Sequence, residues 1–332
     1  MVKIALAGGW GQVGREVLEA LVARGKHEIL LLSRQDAPAE DLGKGVGWVK
    51  TDYNDVAELT RTLDGVHTVL SFLAGPIQPT ASVQTSNQIN LIDASIRAGV
   101  KRFAPSEWAM AKFEHMFWYN FKKEARDYLA EVNKDKKVLE YCLFLPGLFT
   151  NYLGYPFQSA KHVRVFEQAF NFHERRALIP EGGEGCVMSF TTVQDFAKVV
   201  ALAVEYEGKW PVDGGITGGR ITIGELIALG EKIRGGPFTV SKLKVEDLRA
   251  GVVKAPWFPK VDHPAVPEET HAAVAPQLVA GVLQGIAAGE WESSDAWNRL
   301  LPDFKFTQPE EFLTAAWTSI DAGAESVPFG DY

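Results

Sequence analysis

The chain has 332 residues, of which 46% are hydrophobic and 23% charged, and its net charge is −8. Length and composition fit a globular chain of about two structural units. The acidic balance argues against a nucleic-acid groove or a polybasic membrane patch, and no run approaches the roughly 18 apolar residues that span a bilayer.

Residues 3–7 form a short apolar run, and Gly8-Gly9-Trp10-Gly11-Gln12-Val13-Gly14 follows it at once. Val13, Val17, Leu18, Leu21 and Val22 then recur at helical spacing. A buried strand, a glycine turn and an amphipathic helix make a site for a dinucleotide pyrophosphate. The glycines let the backbone approach the phosphates, and the helix N-terminus offers free N–H groups and a favourable dipole end. Residues 8–14 are therefore the first expected cofactor contacts. A strand that starts near Lys3 leaves no room for a signal peptide, and two cysteines, Cys142 and Cys186, make no disulfide framework. A cytoplasmic chain is expected, with Cys142 acting as a small buried hydrophobe.

Further strands are expected at residues 29–32, 47–50, 69–73, 103–104 and 139–145, with helices between them, the clearest over 83–98. Near-continuous apolar strands joined by helices predict a parallel sheet covered on both faces, an α/β doubly wound fold of Rossmann type. Ligands bind such sheets at the carboxyl ends of the strands. Ser33 and Arg34 end the second strand, where an NAD-specific site carries an acid instead. A guanidinium can grip a 2′-phosphate that a carboxylate would repel, so NADP(H) is favoured. Asp36 falls in the following loop. Asp52, after the third strand, is a candidate for the adenine amine or for a helix cap. Ser71, Phe72 and Leu73 end the fourth strand and are expected to line the groove.

Beyond residue 151 the texture changes, with an aromatic and polar stretch over 152–176. Thr192 and Asp195 open another helix. Residues 1–152, with 187–230 returning, are expected to form the NADP-binding part. Residues 153–186 and 231–332 would form a smaller, discontinuous substrate lobe. The seven histidines are scattered without metal-ligand spacing, so no metal is expected; His162 and His173 read as surface or interface residues.

The chemistry is expected after the fifth strand. Pro105, Ser106 and Glu107 follow it, and Tyr119, Lys122, Lys123 and Arg126 lie in the next helical segment. A lysine near a nicotinamide ribose can bind its hydroxyls or act as a general acid or base when burial lowers its pKa. Tyr119 with Lys123 fits a Tyr-x-x-x-Lys spacing, and Tyr119 with Lys122 gives Tyr-x-x-Lys. Phe113, Phe117, Trp118, Phe149, Tyr152, Tyr155 and Phe157 flank this region as a candidate aryl pocket.

The segments Ala7 to Gly14, Phe103-Ala104-Pro105-Ser106-Glu107-Trp108 and Leu145-Pro146-Gly147-Leu148-Phe149-Thr150-Asn151-Tyr152 resemble the NmrA-like and isoflavone reductase-like group, relatives of short-chain dehydrogenases. The resemblance covers most of the first 230 residues and is nearest in wording to fungal members. It implies an NADPH-dependent reductase of a small aromatic or phenolic substrate, with a catalytic lysine followed four residues later by arginine. Lys122 with Arg126 fits that register, and Lys123 is the alternative. Pro146, Gly147 and Phe149 join the expected cofactor contacts. Many members have threonine where this chain has Trp10. The NmrA branch also implies a second reading, an NADP(H)-binding redox sensor that reports to a protein partner without catalysis. A monomer or a homodimer fits either.

Overall fold

The computed structural model describes residues 1–74, 83–261 and 266–327. Its first half alternates β1 (Lys3–Ala7), α1 (Gln12–Arg24), β2 (Glu28–Ser33), β3 (Val46–Lys50), α2 (Val56–Thr62), β4 (Thr68–Ser71), α3 (Val83–Arg97), β5 (Arg102–Ala104), α4 (Asn120–Val132) and β6 (Glu140–Tyr141). These six strands form one parallel sheet in the order β3-β2-β1-β4-β5-β6. The order reverses direction between β1 and β4, where a doubly wound sheet opens its ligand crevice.

Both faces of the sheet are covered, which explains why its strands are continuously apolar. Ile4 and Leu6 of β1 point to a core shared with Val17, Leu18 and Leu21 of α1. Ala5 and Ala7, one residue out of phase, point to a second core with Leu59 of α2, Leu91 and Ile92 of α3 and Leu129 of α4. Helix α1 stops at Gly25, whose φ of 62° supplies the left-handed cap.

Two of the expected strands are corrected. The fourth ends at Ser71: the Phe72 amide makes the last bond of the β1–β4 ladder, to the Ala7 carbonyl (2.7 Å). The single strand expected over 139–145 is two. Cys142 donates to Phe103 O (3.1 Å), then β7 (Leu143–Leu145) turns from β5 to pair with a strand from much later in the chain. Cys142 itself is buried, as expected.

The rest comprises β8 (Leu148–Phe149), β9 (Phe170–Asn171), β10 (Arg176–Pro180), β11 (Val187–Thr191), α5 (Val193–Glu205), β12 (Asp213–Gly215), β13 (Gly219–Thr222), α6 (Ile223–Arg234), β14 (Thr239–Leu243), α7 (Val245–Arg249), α8 (His271–Ala287), α9 (Ala296–Leu300) and α10 (Pro309–Asp321). Strand β12 is the parallel partner of β7, β11 lies between β8 and β13, and β10 lies between β9 and β14. Thr192 caps α5 by accepting from Asp195 N (3.1 Å). Helix α5 packs on α1. A third core joins Phe172, Leu178, Leu226, Leu283, Phe312 and Trp317. No described helix is long and apolar enough to cross a membrane.

Candidate active site

The ends of β1, β2, β4, β5 and β7 bring most of the expected residues to one edge of the sheet. At the centre is the glycine turn. A Cβ on Gly9 would lie 2.5 Å from Leu6 Cβ, and one on Gly14 would lie 2.7 Å from Gly9 Cα. Gly8 has φ of 69°. Strand and helix can approach this closely only without side chains. The ladder of α1 begins with Arg15 N donating to Gly11 O (2.8 Å), and no side chain caps the helix. The amides of Gln12, Val13 and Gly14 thus project from a helix end whose first turn carries no acid. A cradle with no Cβ and an uncapped helix end fit a pyrophosphate.

The Trp10 indole leans toward β3, edge-on to Trp48 at 5.7 Å, with the Arg15 guanidinium 4.1 Å above its ring. Arg34 is exposed just beyond β2, and among the described residues no carboxylate pairs with it. Asp36 is taken by Lys50 (2.8 Å). Ser33 Oγ accepts from Gln35 N (3.1 Å). The helix-cap option for Asp52 is overturned. Asp55 caps α2, accepting from Ala57 N and Glu58 N, while Asp52 accepts from Asn54 N (2.9 Å) and its carboxylate is exposed.

At the other end of the groove, Ser71 Oγ donates to Gln88 Oε1 (2.8 Å) and Phe72 stacks on Trp108 at 4.7 Å. Pro146 O accepts from Thr191 Oγ1 (2.8 Å), and Gly147 (φ 71°) donates to Ala109 O (3.1 Å). Phe149 is buried against Phe196 and Tyr152.

Lys122 and Lys123 are adjacent in sequence but differ by about 100° around the helix, and this separates their fates. Lys123 is exposed and pairs with Asp127 (2.5 Å). Lys122 is 6% exposed, and its Nζ donates to Ser106 O (2.8 Å) and to Glu107 O. Burial pulls its pKa down to about 8; Glu107 opposes the shift and Arg126 adds to it. Glu107 is held by Arg126 through two bonds, Nε to Oε1 at 2.9 Å and Nη2 to Oε2 at 2.5 Å. Arg126 also donates to Ala111 O (2.8 Å) and lies over Phe113. The Tyr119 ring faces Lys122 Nζ, which lies 4.7 Å from its centroid, and burial raises the phenol's pKa. The structure therefore does not form the Tyr119–Lys123 pair.

Of the expected aryl pocket, Trp118 stays beside Tyr119, and Tyr152 packs on Phe149 and Phe166. Phe157 does not join them; it packs on His173 and Trp317 of the third core. A cavity of about 570 Å³ lined by Thr217, Arg220, Asn298 and Phe306 includes none of the expected site residues. His162 is not a free surface group: its ring pairs with Glu19 of α1. Two residues of the site were given no role from the sequence, Tyr53 and Trp108. The signal available for both was an aromatic with one polar atom just past a strand end.

The family description NAD(P)H-binding matches residues 8–151. Oxidoreductase BOA1 of Botryotinia fuckeliana (strain B05.10) is 31% identical over 239 residues, which span 71% of this chain and 77% of that protein. Two solved structures, isoflavone reductase and AtPrR2 with NADP+ and (+)pinoresinol, share the fold. Their TM-scores are 0.63 and 0.65 at 19% and 20% identity; each covers 94% of this chain and 98% of its own. The chain belongs to the same family as the oxidoreductase BOA1. As a member of that family it is an oxidoreductase that binds an NAD(P)H dinucleotide.

Proposed function

We propose that the protein is an NADPH-dependent reductase of a small, flat aromatic or phenolic molecule, with Lys122 as its general acid. The observation that carries this reading is the buried Lys122 ammonium, fixed by the carbonyls of Ser106 and Glu107 at the end of β5. When bound, the reduced nicotinamide supplies the hydride. Lys122, with a pKa near 8, is protonated at neutral pH yet can release its proton to a substrate oxygen. Glu107 and Arg126 hold the strand exit from which Lys122 hangs. Trp118, Tyr119 and Tyr152 offer aromatic surface that excludes water beside it. Arg34 takes the 2′-phosphate, and Asp52 stands toward the adenine. Residues 1–152 with 187–230 serve the cofactor in this reading, and residues 153–186 with 231–332 the substrate.

The test is loss of NADPH absorbance against a panel of enones, isoflavones and lignans. Lys122→Ala is expected to lower kcat by roughly 10²–10⁴-fold. Turnover at the full rate in that variant would remove Lys122 from the mechanism. Tight NADPH binding with no turnover on any panel member would favour the sensor reading instead.

A further inference from the structure

Three non-glycine residues among those described have positive φ: Tyr53 at 64°, Trp108 at 50° and Arg175 at 49°. Such a backbone is unfavourable for an L-residue and persists only where its surroundings over-determine it. Arg175 is exposed in the turn between β9 and β10, an ordinary place for it. The other two are buried, and both lie just past a strand exit in the cofactor groove.

Tyr53 follows β3. Its hydroxyl donates to Leu32 O (2.7 Å), at the exit of β2, and accepts from Gly8 N (3.2 Å), in the glycine turn after β1. Gly8 N also donates to Leu32 O (2.9 Å), so one phenol closes a three-way junction. Asn90 of α3 fixes the unusual backbone by donating Nδ2 to Tyr53 O (3.0 Å). Leu32 is two residues before Arg34, and the guanidinium is near enough to act on the phenol electrostatically.

Trp108 follows β5. Its Nε1 donates to Ser71 O (2.8 Å), at the exit of β4, and its backbone N donates to Phe144 O (3.1 Å) in β7. The indole stacks on Phe72 at 4.7 Å and on Phe144 at 5.7 Å. The preceding residue, Glu107, lends its carbonyl to Lys122.

The two arrangements are the same device used twice. A left-handed backbone turns an aromatic ring under the neighbouring strand exit, and the ring's single polar atom takes that exit's carbonyl. We propose that Tyr53 and Trp108 are positioning residues for the two halves of the dinucleotide: Tyr53 for the adenosine and pyrophosphate, Trp108 for the nicotinamide. The inference rests on the cofactor reading above and deepens it. Tyr53→Phe keeps the ring and loses the tie; Trp108→Phe loses the tie and keeps a smaller aromatic ring in the stack with Phe72 and Phe144.

The experiment compares two probes, NADPH and 2′-phospho-ADP-ribose, which carries the adenosine and pyrophosphate but no nicotinamide. Titration calorimetry on the full chain gives both dissociation constants. Tyr53→Phe is expected to weaken both ligands alike, by about tenfold for a lost positioning hydrogen bond. Trp108→Phe is expected to weaken NADPH alone and to change the fluorescence of its bound nicotinamide. A general loss of structure would weaken both ligands in both variants, and that result, or no change in either, overturns the proposal. Should Tyr53→Phe fail to fold in a thermal scan, Asn90→Ala keeps the hydroxyl and frees the backbone. It must then weaken both probes for the proposal to stand. Wild-type protein that binds neither probe brings down the cofactor reading and this inference together. Wild-type binding with unaltered variants brings down the inference only.

Discussion

At the residue scale, the distinction between Lys122 and Lys123 decides most. The sequence places two lysines side by side, and the resemblance prefers the first; only the helix phase shows which one is desolvated. Its titration then makes a directional forecast. Burial holds the ammonium near 8, below its ordinary 10.5, so the protonated form required of a general acid is lost as pH rises through about 8. The kcat of the wild type is expected to fall across that range, and Lys122→Ala, whatever residual rate it keeps, to lack the falling limb. A limb unchanged in the variant would assign it to another group. For stability the sign is opposite. The unfolded chain holds the Lys122 proton up to its ordinary pKa and the folded chain gives it up earlier, so this residue's penalty is relieved between about 8 and 10.5. Arg34 carries a second forecast. A charge-assisted pair with a phosphate contributes about 1.5–3 kcal/mol, so Arg34→Ser should raise the NADPH dissociation constant roughly 10- to 100-fold. NADH binding should scarcely move. A variant that loses both cofactors equally would show that Arg34 does not read the 2′-phosphate.

At the scale of elements, the contact between α1 and the segment after Phe157 is the least legible in sequence. Glu16 is fully buried, and its Oε1 accepts from His162 N (2.7 Å) and Val163 N (2.8 Å). Gln12 Oε1 accepts from Arg164 N (3.2 Å), and Glu19 takes the side chains of Lys161 and His162. A glutamate within an amphipathic pattern reads as a solvated face. Nothing local announces that an irregular strap more than 140 residues away will present its amides there. Glu16→Ala leaves two amides without an acceptor and should cost about 2–4 kcal/mol in urea unfolding. Glu16→Gln keeps an acceptor oxygen and should stay within about 1 kcal/mol of wild type at neutral pH. Burial raises the Glu16 pKa, with the two amides opposing it, so the folded state holds this proton more tightly than the unfolded one. The stability so gained is complete below the ordinary carboxyl pKa and is lost as pH rises through the raised one. Wild type should therefore gain on Glu16→Gln as the medium is acidified, and an unchanging gap would contradict the burial argument.

At the scale of the molecule, the parallel sheet and its two covered faces were legible because runs such as Ile29-Leu30-Leu31-Leu32 have no polar phase to expose. The split at Cys142 was not, because an apolar residue looks alike whether the ladder continues or changes partner. The left-handed backbones of Tyr53 and Trp108 were equally silent, since neither residue type favours that conformation. The same partner exchange ties the late chain to the early one. Beyond β7 lies β12, and over their junction α9 delivers Trp297, fully buried and stacked on Phe144 at 5.5 Å with an interplanar angle of 6°. Tyr206 and Trp210 close around the indole edge-on. A residue near the end of the chain therefore completes the core beneath the cofactor helix, the same core that holds Val17 and Leu21 of α1. Removing that ring should cost about 3–5 kcal/mol, as Trp297→Ala in urea. Because the ring ties the halves together, unfolding of Trp297→Ala followed by far-ultraviolet dichroism and by loss of bound NADPH fluorescence should shift together, to the same lower midpoint. A cofactor half that kept its original midpoint in Trp297→Ala would show that the sheet holds its shape without the C-terminal seal.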